Sequence, residues 1–259
     1  MGNKLAGQLA ADIMEQWKIK HVFGLPGDSI NHFVDVLRSE KEEIEFIQVR
    51  HEEVGALAAS SYAKLTGNIG VCLSIGGPGA IHLLNGLYDA KADGAPVLVL
   101  AGQVATEELG MDSFQEVHLD RVFADVSVYC ERVSSPESLP DLMNQAIRTA
   151  YAKKGVSVLI IPDDIPGQKI KDGVKATSSI PARSIPAPMD QDVKTGLDYL
   201  HKSKRPVILA GTGSKHAARE LERFADKIAA PVIFTLPAKG IFPDKHPHNL
   251  GQLGQIGTK

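Results

Sequence analysis

Two stretches of this sequence, at 97–100 and 158–161, are apolar at every position. A strand with two apolar faces must be covered on both of them, as the central strands of a parallel sheet are. Such strands alternate with segments of ten or more residues that have helical periodicity. This alternation is typical of βαβ units and predicts an α/β fold with a doubly wound parallel sheet.

The elements expected from periodicity and from turn residues cover most of the chain. Asn3 is expected to cap the first helix, and Asp28 with Ser29 the second. The predicted strands are 21–26, 44–49, 69–75, 96–102, 156–162, 207–210 and 232–236, and the predicted helices are 3–18, 28–38, 52–65, 79–89, 139–152, 191–203 and 214–229.

The pattern lapses around residues 168–189, which are rich in proline and serine. We interpret this stretch as a linker between a first domain at 1–167 and a second at 190–259. The second domain is expected to be Rossmann-like but to hold only two strands. Two parallel strands bury too little apolar surface to be stable alone, so this domain is predicted to be truncated.

The composition limits which partners the protein is expected to bind and in which cellular compartment it is expected to lie. The chain has 28 Lys and Arg against 31 Asp and Glu, a formal charge of −3, and so lacks the basic surplus of a nucleic-acid surface. Its two cysteines, Cys72 and Cys130, are expected to be reduced thiols. With no secretory pattern and no long apolar run, the sequence predicts a cytoplasmic protein.

The predicted strands end in turns that are rich in Gly and Pro. The carboxyl ends of parallel strands form one edge of a sheet, where ligands bind and where Gly lets the backbone approach them. A βα turn that binds no ligand also favours Gly, so these turns alone do not identify a ligand. They lie at 25–29, 76–79, 101–103, 210–214 and 236–240.

Two further patterns are weak. The segment Gly211-Thr212-Gly213 resembles a dinucleotide fingerprint, but His216 stands where that motif needs its third glycine. The pair His246 and His248 suggests a metal site, yet no third ligand has compatible spacing, so no metal ligand is predicted in this chain.

The junction Arg50-His51-Glu52-Glu53 is the sharper feature, because an alanine-rich helix follows it directly. A carboxyl group packed there would be poorly solvated and could share a proton with a ligand nitrogen. The alternative is a pair of acids that only complement the helix dipole. Neighbouring helix positions point about 100° apart, so only one of the two can reach a given ligand.

Together these segments resemble the pyruvate oxidase family of thiamine diphosphate- and FAD-dependent enzymes, over essentially the whole chain. The most specific pair is R-H-E-E at 50–53 with G-G-P-G-A-I-H-L-L-N-G at 76–86. The element S-F-Q-E at 113–116 favours pyruvate oxidase over its cousin acetolactate synthase. Other matching stretches are 23–31, 63–67, 96–103, 155–165, 211–217 and 235–240.

The resemblance implies three domains in order: a pyrimidine-binding domain, an FAD-binding domain and a diphosphate-binding domain. This chain corresponds to the first and to the start of the second, and has no G-D-G signature for Mg²⁺ and the diphosphate. The family's homo-oligomers, dimers or tetramers, complete each thiamine site with another subunit. The chain alone is therefore expected to hold half a site and to have little or no activity, with membrane contact only through residues beyond it.

Residue roles follow from the resemblance alone. Glu52 would hydrogen-bond the N1′ nitrogen of the thiamine aminopyrimidine, which activates the cofactor for decarboxylation of pyruvate. Phe114 and Gln115 would lie between thiamine and flavin. The implied contacts of thiamine are Pro26, Gly27, Pro78, Gly79, His82 and Asn85, and those of FAD are Gly211, Gly213, Ser214, Lys215, Pro237, Ala238 and Lys239.

Two other readings stay open at this point. One is an enzyme similar to acetolactate synthase, in which FAD is structural. The other is a non-catalytic assembly fragment. The sequence also leaves open whether electrons would pass from FAD to oxygen or to a quinone.

Overall fold

The computed structural model of the protein describes residues 4–40, 43–171, 187–255 and 257, and divides into two compact units, Met1–Ala182 and Arg183–Lys259. The predicted linker at 168–189 falls largely outside the described residues. Its limits, and those of the two domains, stay predictions. So does the cap at Asn3, which is also outside them. No helix among the described residues has the length and apolarity to cross a bilayer.

The first unit is an α/β structure with a six-stranded sheet, which confirms the predicted fold class. All neighbouring strands are parallel, in the order β2-β1-β3-β4-β6-β5. The strands are β1 (His21–Gly24), β2 (Glu45–Gln48), β3 (Gly70–Ser74), β4 (Val97–Gln103), β5 (Ser127–Arg132) and β6 (Val156–Pro162). The helices are α1 (Ala6–Gln16), α2 (Asn31–Glu40), α3 (Glu52–Thr66), α4 (Pro78–His82), α5 (Leu84–Asp93), α6 (Leu119–Val122) and α7 (Leu139–Lys153).

Two buried clusters cover the two faces of this sheet. Along β4, Leu98 and Leu100 belong to one cluster, while Val97, Val99 and Ala101 belong to the other. Helices α1, α2 and α7 contribute to the first cluster, and α3 and α5 to the second. Successive residues of a strand point to opposite faces, so an all-apolar strand needs a helical layer on each side.

Several details of the first unit differ from the sequence-based expectation. Strand β5 was not predicted, because an edge strand with a half-exposed pattern lacks a continuous apolar run. The expected helix at 79–89 is two helices, α4 and α5, that meet at Leu83. Ser29 does not cap α2: a 3-10 turn (Asp28–Ile30) precedes that helix, and the Ser29 hydroxyl accepts a hydrogen bond from the Gly76 amide.

The second unit holds a parallel three-stranded sheet, of order β7-β8-β9, rather than the two strands expected. Its strands are β7 (Ile208–Ala210), β8 (Val232–Phe234) and β9 (Asn249–Gln252), with helices α8 (Asp190–Lys202) and α9 (Ala218–Ile228). Strand β9 was missed because it is short, has one large apolar residue and follows a proline-rich stretch.

Candidate functional site

The strand order places a crevice at one point of the sheet edge. From β1 the chain moves to β2 on one side and then returns to β3 on the other. In an open parallel sheet this reversal separates the loops that follow the two strands and creates a ligand-binding crevice. Here those loops are the half-buried turn at Pro26 and Gly27 and the turn from Gly76 to Gly79.

The two turns touch through Ile75. A Cβ atom on Gly27 would lie 2.5 Å from Ile75 Cγ2, and one on Gly79 would lie 2.6 Å from Ile75 Cγ1. Both positions are therefore restricted to glycine by close packing rather than by backbone angle. Pro78, at the start of α4, is exposed beside them.

Glu52 enters the crevice from the first turn of α3 and is only 6% exposed. Its Oε2 lies 3.0 Å from His82 Nδ1, and its Oε1 would be 3.0 Å from a Cβ on Gly79. Because Gly79 carries no side chain, no side-chain atom of that residue lies against Oε1. The carboxyl group is thus buried, is bonded on one oxygen and faces the glycine turn with the other.

The neighbouring acid has a different role. Glu53 Oε1 accepts a hydrogen bond of 2.8 Å from the side-chain amide of Asn85, which ties α3 to α5. The backbone amide of Glu53 donates to His51 Nδ1 at 3.3 Å, so His51 caps α3. Asn85 lies one helical turn beyond His82, but its described partner is Glu53 rather than Glu52.

The segment that carries Phe114 and Gln115 reaches the same crevice. Gly77 has a φ of +57°, and a Cβ there would lie 2.6 Å from the carbonyl oxygen of Gln115. Gln115 itself has a φ of +66°. Phe114 is 89% exposed and contributes to no described cluster. The loop therefore docks through the backbone of Gln115 and presents the Phe114 ring to solvent.

Two side chains that the sequence analysis did not single out hold this loop. Glu116 accepts hydrogen bonds from the amides of Gly110, at 2.6 Å, and Ser113, at 3.2 Å. These bonds hold the pKa of the Glu116 carboxyl below its usual range, and the bond from Gly110 has the largest effect. Gln103, which is 3% exposed, donates to the carbonyl of Val117 at 2.9 Å. Neither contact joins residues at a spacing that belongs to a known sequence motif, so neither could be predicted from the sequence.

A polar group beside the crevice has ligand atoms of the type that binds metals. His51, Glu52 and His82 each offer one such atom, all within 4.8 Å of one another. The two imidazole rings, however, are stacked, with centroids 4.5 Å apart and planes 27° apart. Imidazole lone pairs lie in the ring plane, so both rings would have to turn before they could bind one ion. The arrangement suits a hydrogen-bonding stack better than a metal centre.

In the second unit, the predicted FAD contacts follow neighbouring strands at one edge of its sheet. After β7 comes the 3-10 turn Thr212–Ser214, where the Ser214 hydroxyl donates to the carbonyl of Gly211 at 2.7 Å. A Cβ on Gly213 would meet nothing within 4 Å, so this turn leaves room for a ligand. After β8 comes the turn Leu236–Ala238.

The predicted FAD contacts differ in exposure. Lys215, Pro237 and Lys239 are exposed, whereas Ala238 is fully buried in the core of the second unit. A ligand could therefore meet Ala238 only through its backbone.

Two domain models of one group of enzymes match this chain. The model of the thiamine pyrophosphate enzyme N-terminal TPP binding domain matches residues 5–122, and that of the central domain of the same enzymes matches 193–259. The first range contains the crevice, with Glu52 and the glycine turns. The second contains the turns after β7 and β8.

Similar full-length proteins are longer than this chain. The chain is 59% identical to YdaP of Bacillus subtilis, a protein provisionally described as thiamine pyrophosphate-containing, over 100% of the chain and 45% of that protein. It is 43% identical to a pyruvate oxidase of Lactiplantibacillus plantarum, over 99% of the chain and 43% of that enzyme. An acetolactate synthase large subunit of Corynebacterium glutamicum is 31% identical, over 95% of the chain and 40% of that subunit.

The chain thus spans less than half the length of these three curated relatives. Both matched domain models describe the same group of enzymes, and the N-terminal one covers the crevice that holds the buried carboxyl group. We conclude that this chain belongs to the thiamine pyrophosphate enzyme family, of which it carries the N-terminal TPP-binding domain and a match to the central domain.

Proposed function

We propose that this chain is the N-terminal part of a pyruvate oxidase. In this proposal the whole enzyme decarboxylates pyruvate oxidatively with thiamine diphosphate, and passes two electrons to FAD and then to oxygen or a quinone. The observation that carries the proposal is the buried Glu52 carboxyl group, whose Oε1 faces the space above Gly79.

Thiamine diphosphate, when bound, supplies the carbon nucleophile and the electron sink for decarboxylation of a 2-keto acid. Glu52 holds a proton at the aminopyrimidine N1′ nitrogen, and its burial excludes water from that contact. Pro26, Gly27, Pro78 and Gly79 form the walls of the crevice. The crevice fits thiamine diphosphate only with glycines at these positions, because a methyl group at Gly79 would lie against the Glu52 carboxyl group.

The proposed oxidase differs from the alternatives at the flavin. In this proposal Phe114, which is exposed and next to the Gln115 contact with Gly77, is assigned to the substrate side of the site. The turns that contain Gly211, Gly213, Ser214 and Lys215, and Pro237 to Lys239, form the proposed FAD contact of the second unit. In this proposal Mg²⁺ binds the diphosphate outside this chain.

A second candidate is an acetolactate synthase-like enzyme, favoured by the 31% identity to the Corynebacterium glutamicum subunit. Flavin spectroscopy on the full-length protein separates the two. Pyruvate should bleach the FAD absorbance of an oxidase, and should leave that of a synthase almost unchanged. The same protein would be a homo-oligomer, a dimer or tetramer, and cytoplasmic, and these two points also stay proposals.

The thiamine site can be tested on this chain directly. Titration of the isotopically labelled chain with thiamine should shift the backbone NMR signals of Gly27, Glu52 and Gly79. Glu52→Gln should weaken this binding at least tenfold and leave the rest of the spectrum intact. If thiamine shifts none of these signals at millimolar concentration, the site is not a pyrimidine pocket. A chain that binds neither thiamine nor FAD would favour the non-catalytic assembly fragment.

A further inference from the structure

Glu52 is nearly enclosed, but its hydrogen-bond partner is not. The side chain of Glu52 is 8% exposed, whereas that of His82, 3.0 Å away, is 47% exposed. An acid that trades protons with a cofactor nitrogen needs a route by which its proton equilibrates with solvent. His82 is bonded to the buried carboxyl group and is itself half-exposed to solvent.

We propose that His82 is a proton relay between Glu52 and solvent. This inference rests on the proposed function and adds a residue role to it. In the resting state His82 Nδ1 carries a hydrogen and donates it to Glu52 Oε2, while Nε2 is unprotonated. Imidazole is suited to this task because it has two ring nitrogens and an ordinary pKa near neutrality.

The transfer balances in protons without any other reactant. A hydronium ion of the solvent gives a proton to Nε2 and becomes water, and the Nδ1 proton moves to Oε2, which leaves a neutral ring with a hydrogen on Nε2 and a protonated Glu52. Glu52 passes that proton to the aminopyrimidine nitrogen and becomes a carboxylate again. When Glu52 takes a proton back from the aminopyrimidine nitrogen, Oε2 gives a proton to Nδ1 and Nε2 releases one to water. This reverse sequence removes the proton from the site and restores the resting tautomer.

His51 holds the relay in place. Its ring stacks on that of His82 at 4.5 Å, and its own Nδ1 is occupied by the Glu53 amide. The stack restricts rotation of the His82 ring away from Glu52. Glu53, the other acid at this end of α3, is bonded to Asn85 and does not compete for His82.

The resting tautomer provides a test that needs no cofactor. Long-range ¹H–¹⁵N spectra of the histidine-labelled chain should show His82 with its hydrogen on Nδ1, the signal being assigned by its loss in His82→Gln. Glu52→Ala should abolish that preference. A wild-type His82 with its hydrogen mainly on Nε2 overturns the proposal.

The relay itself is tested on the full-length protein, by exchange of the thiazolium C2 proton of bound thiamine diphosphate. His82→Gln keeps a donor toward Glu52 but cannot relay, so exchange should slow at least tenfold, and added imidazole should restore it. His201→Gln, an exposed position on α8, serves as the matched control and should change nothing. Wild-type exchange in His82→Gln, or slow exchange that imidazole does not rescue, overturns the relay. Absence of thiamine diphosphate binding would instead refute the proposed function. The tautomer of His82, measured without cofactor, would still show whether its Nδ1 hydrogen is donated to Glu52 in the resting state.

Discussion

At Gly79, a hydrogen in place of a methyl group avoids close contacts with Ile75 and with the buried acid Glu52. An added Cβ would lie 2.6 Å from Ile75 Cγ1 and 3.0 Å from Glu52 Oε1. Contacts this short force side chains to move, and such overpacking costs about 1–3 kcal/mol. The residue thus links the packing of the two turns with the shape of the proposed ligand space.

Gly79→Ala should therefore lower the free energy of unfolding of the first unit by about 1–3 kcal/mol and weaken thiamine binding at least tenfold. Urea denaturation and the NMR titration measure the two effects. Gly196→Ala is the control, because a Cβ there meets nothing within 4 Å and the position lies within α8. Equal thiamine affinity in Gly79→Ala and wild type would contradict the assigned position of the ligand.

The two cysteines should differ in reactivity from a free thiol. Burial raises the pKa of the Cys72 thiol to about 12 and that of Cys130 to about 11. Only the thiolate reacts, so both should be alkylated by iodoacetamide at pH 8 far more slowly than free cysteine, Cys72 the slower since it is fully buried. Mass spectrometry of the native and urea-unfolded chain measures this. Rapid native labelling of Cys72 would contradict its burial.

At the scale of elements, α3 and α5 approach closely, and α4, which ends at His82 just before α5, sets that histidine against Glu52. The approach occurs at Gly86, where a Cβ would lie 2.5 Å from the Leu57 amide nitrogen and 2.6 Å from Ala56 Cβ. Because backbone atoms are involved, an added methyl group must separate the helices.

Gly86→Ala should consequently destabilise the first unit by about 1–3 kcal/mol, as measured by urea denaturation. Ser61→Ala, on the exposed face of α3, should change stability by less than about 0.5 kcal/mol. If Gly86→Ala were as stable as Ser61→Ala, the helices would not pack as closely as described.

The loop from 105 to 118 is another element, and the Glu116 carboxylate is one of the groups that hold it. The Glu116 carboxylate accepts from the Gly110 and Ser113 amides, and its pKa lies below the ordinary 4.5. A lowered pKa in the folded state means that the carboxylate stabilises the loop above pH 4.5 and loses this effect as the pH falls through the lower folded value.

Amide exchange of Gly110 and Ser113 should therefore accelerate, after correction for intrinsic rates, as the pH falls below about 4.5. In Glu116→Gln, exchange should already be fast at neutral pH, and the acid-dependent step should disappear. Exchange rates that follow only the intrinsic pH dependence in the wild type would show that Glu116 does not order the loop.

At the scale of the whole molecule, the two units differ in the extent of their cores. The first has a buried cluster on each face of its sheet. In the second, Val207 and Leu209 of the sheet region are 59% and 55% exposed, and the described residues of α8 include none that is buried. The buried cluster of the second unit consists of Ala210, Ala225, Val232, Phe234, Ala238 and Phe242.

Strands β7 to β9 should consequently exchange their amide hydrogens faster than β3, β4 and β6 under native conditions. Fewer buried apolar side chains oppose local opening in the second unit. Hydrogen exchange read by NMR or mass spectrometry makes this comparison. Equal protection of β4 and β8 would contradict it.

Local patterns in the sequence predicted the α/β class, most of the strands and a pair of acids, Glu52 and Glu53, at the start of a helix, whereas the choice of Glu52 came from the family resemblance. An all-apolar strand and an acid at the start of a helix can be recognised from a few neighbouring residues, because the apolar pattern and the helix period both show within a short stretch of sequence. Strands β5 and β9 escaped prediction since short strands with partial exposure have no such pattern.

Contacts between residues distant in the sequence were decided by tertiary structure alone. The strand order brought the loops after β1 and β3 together, and helix packing set His82 against Glu52 and left Glu53 to Asn85. Packing also seated the Gln115 backbone on Gly77. The physical reason is that the sequence specifies the chemistry of each side chain, whereas the distance between two side chains depends on how the helices pack against the sheet.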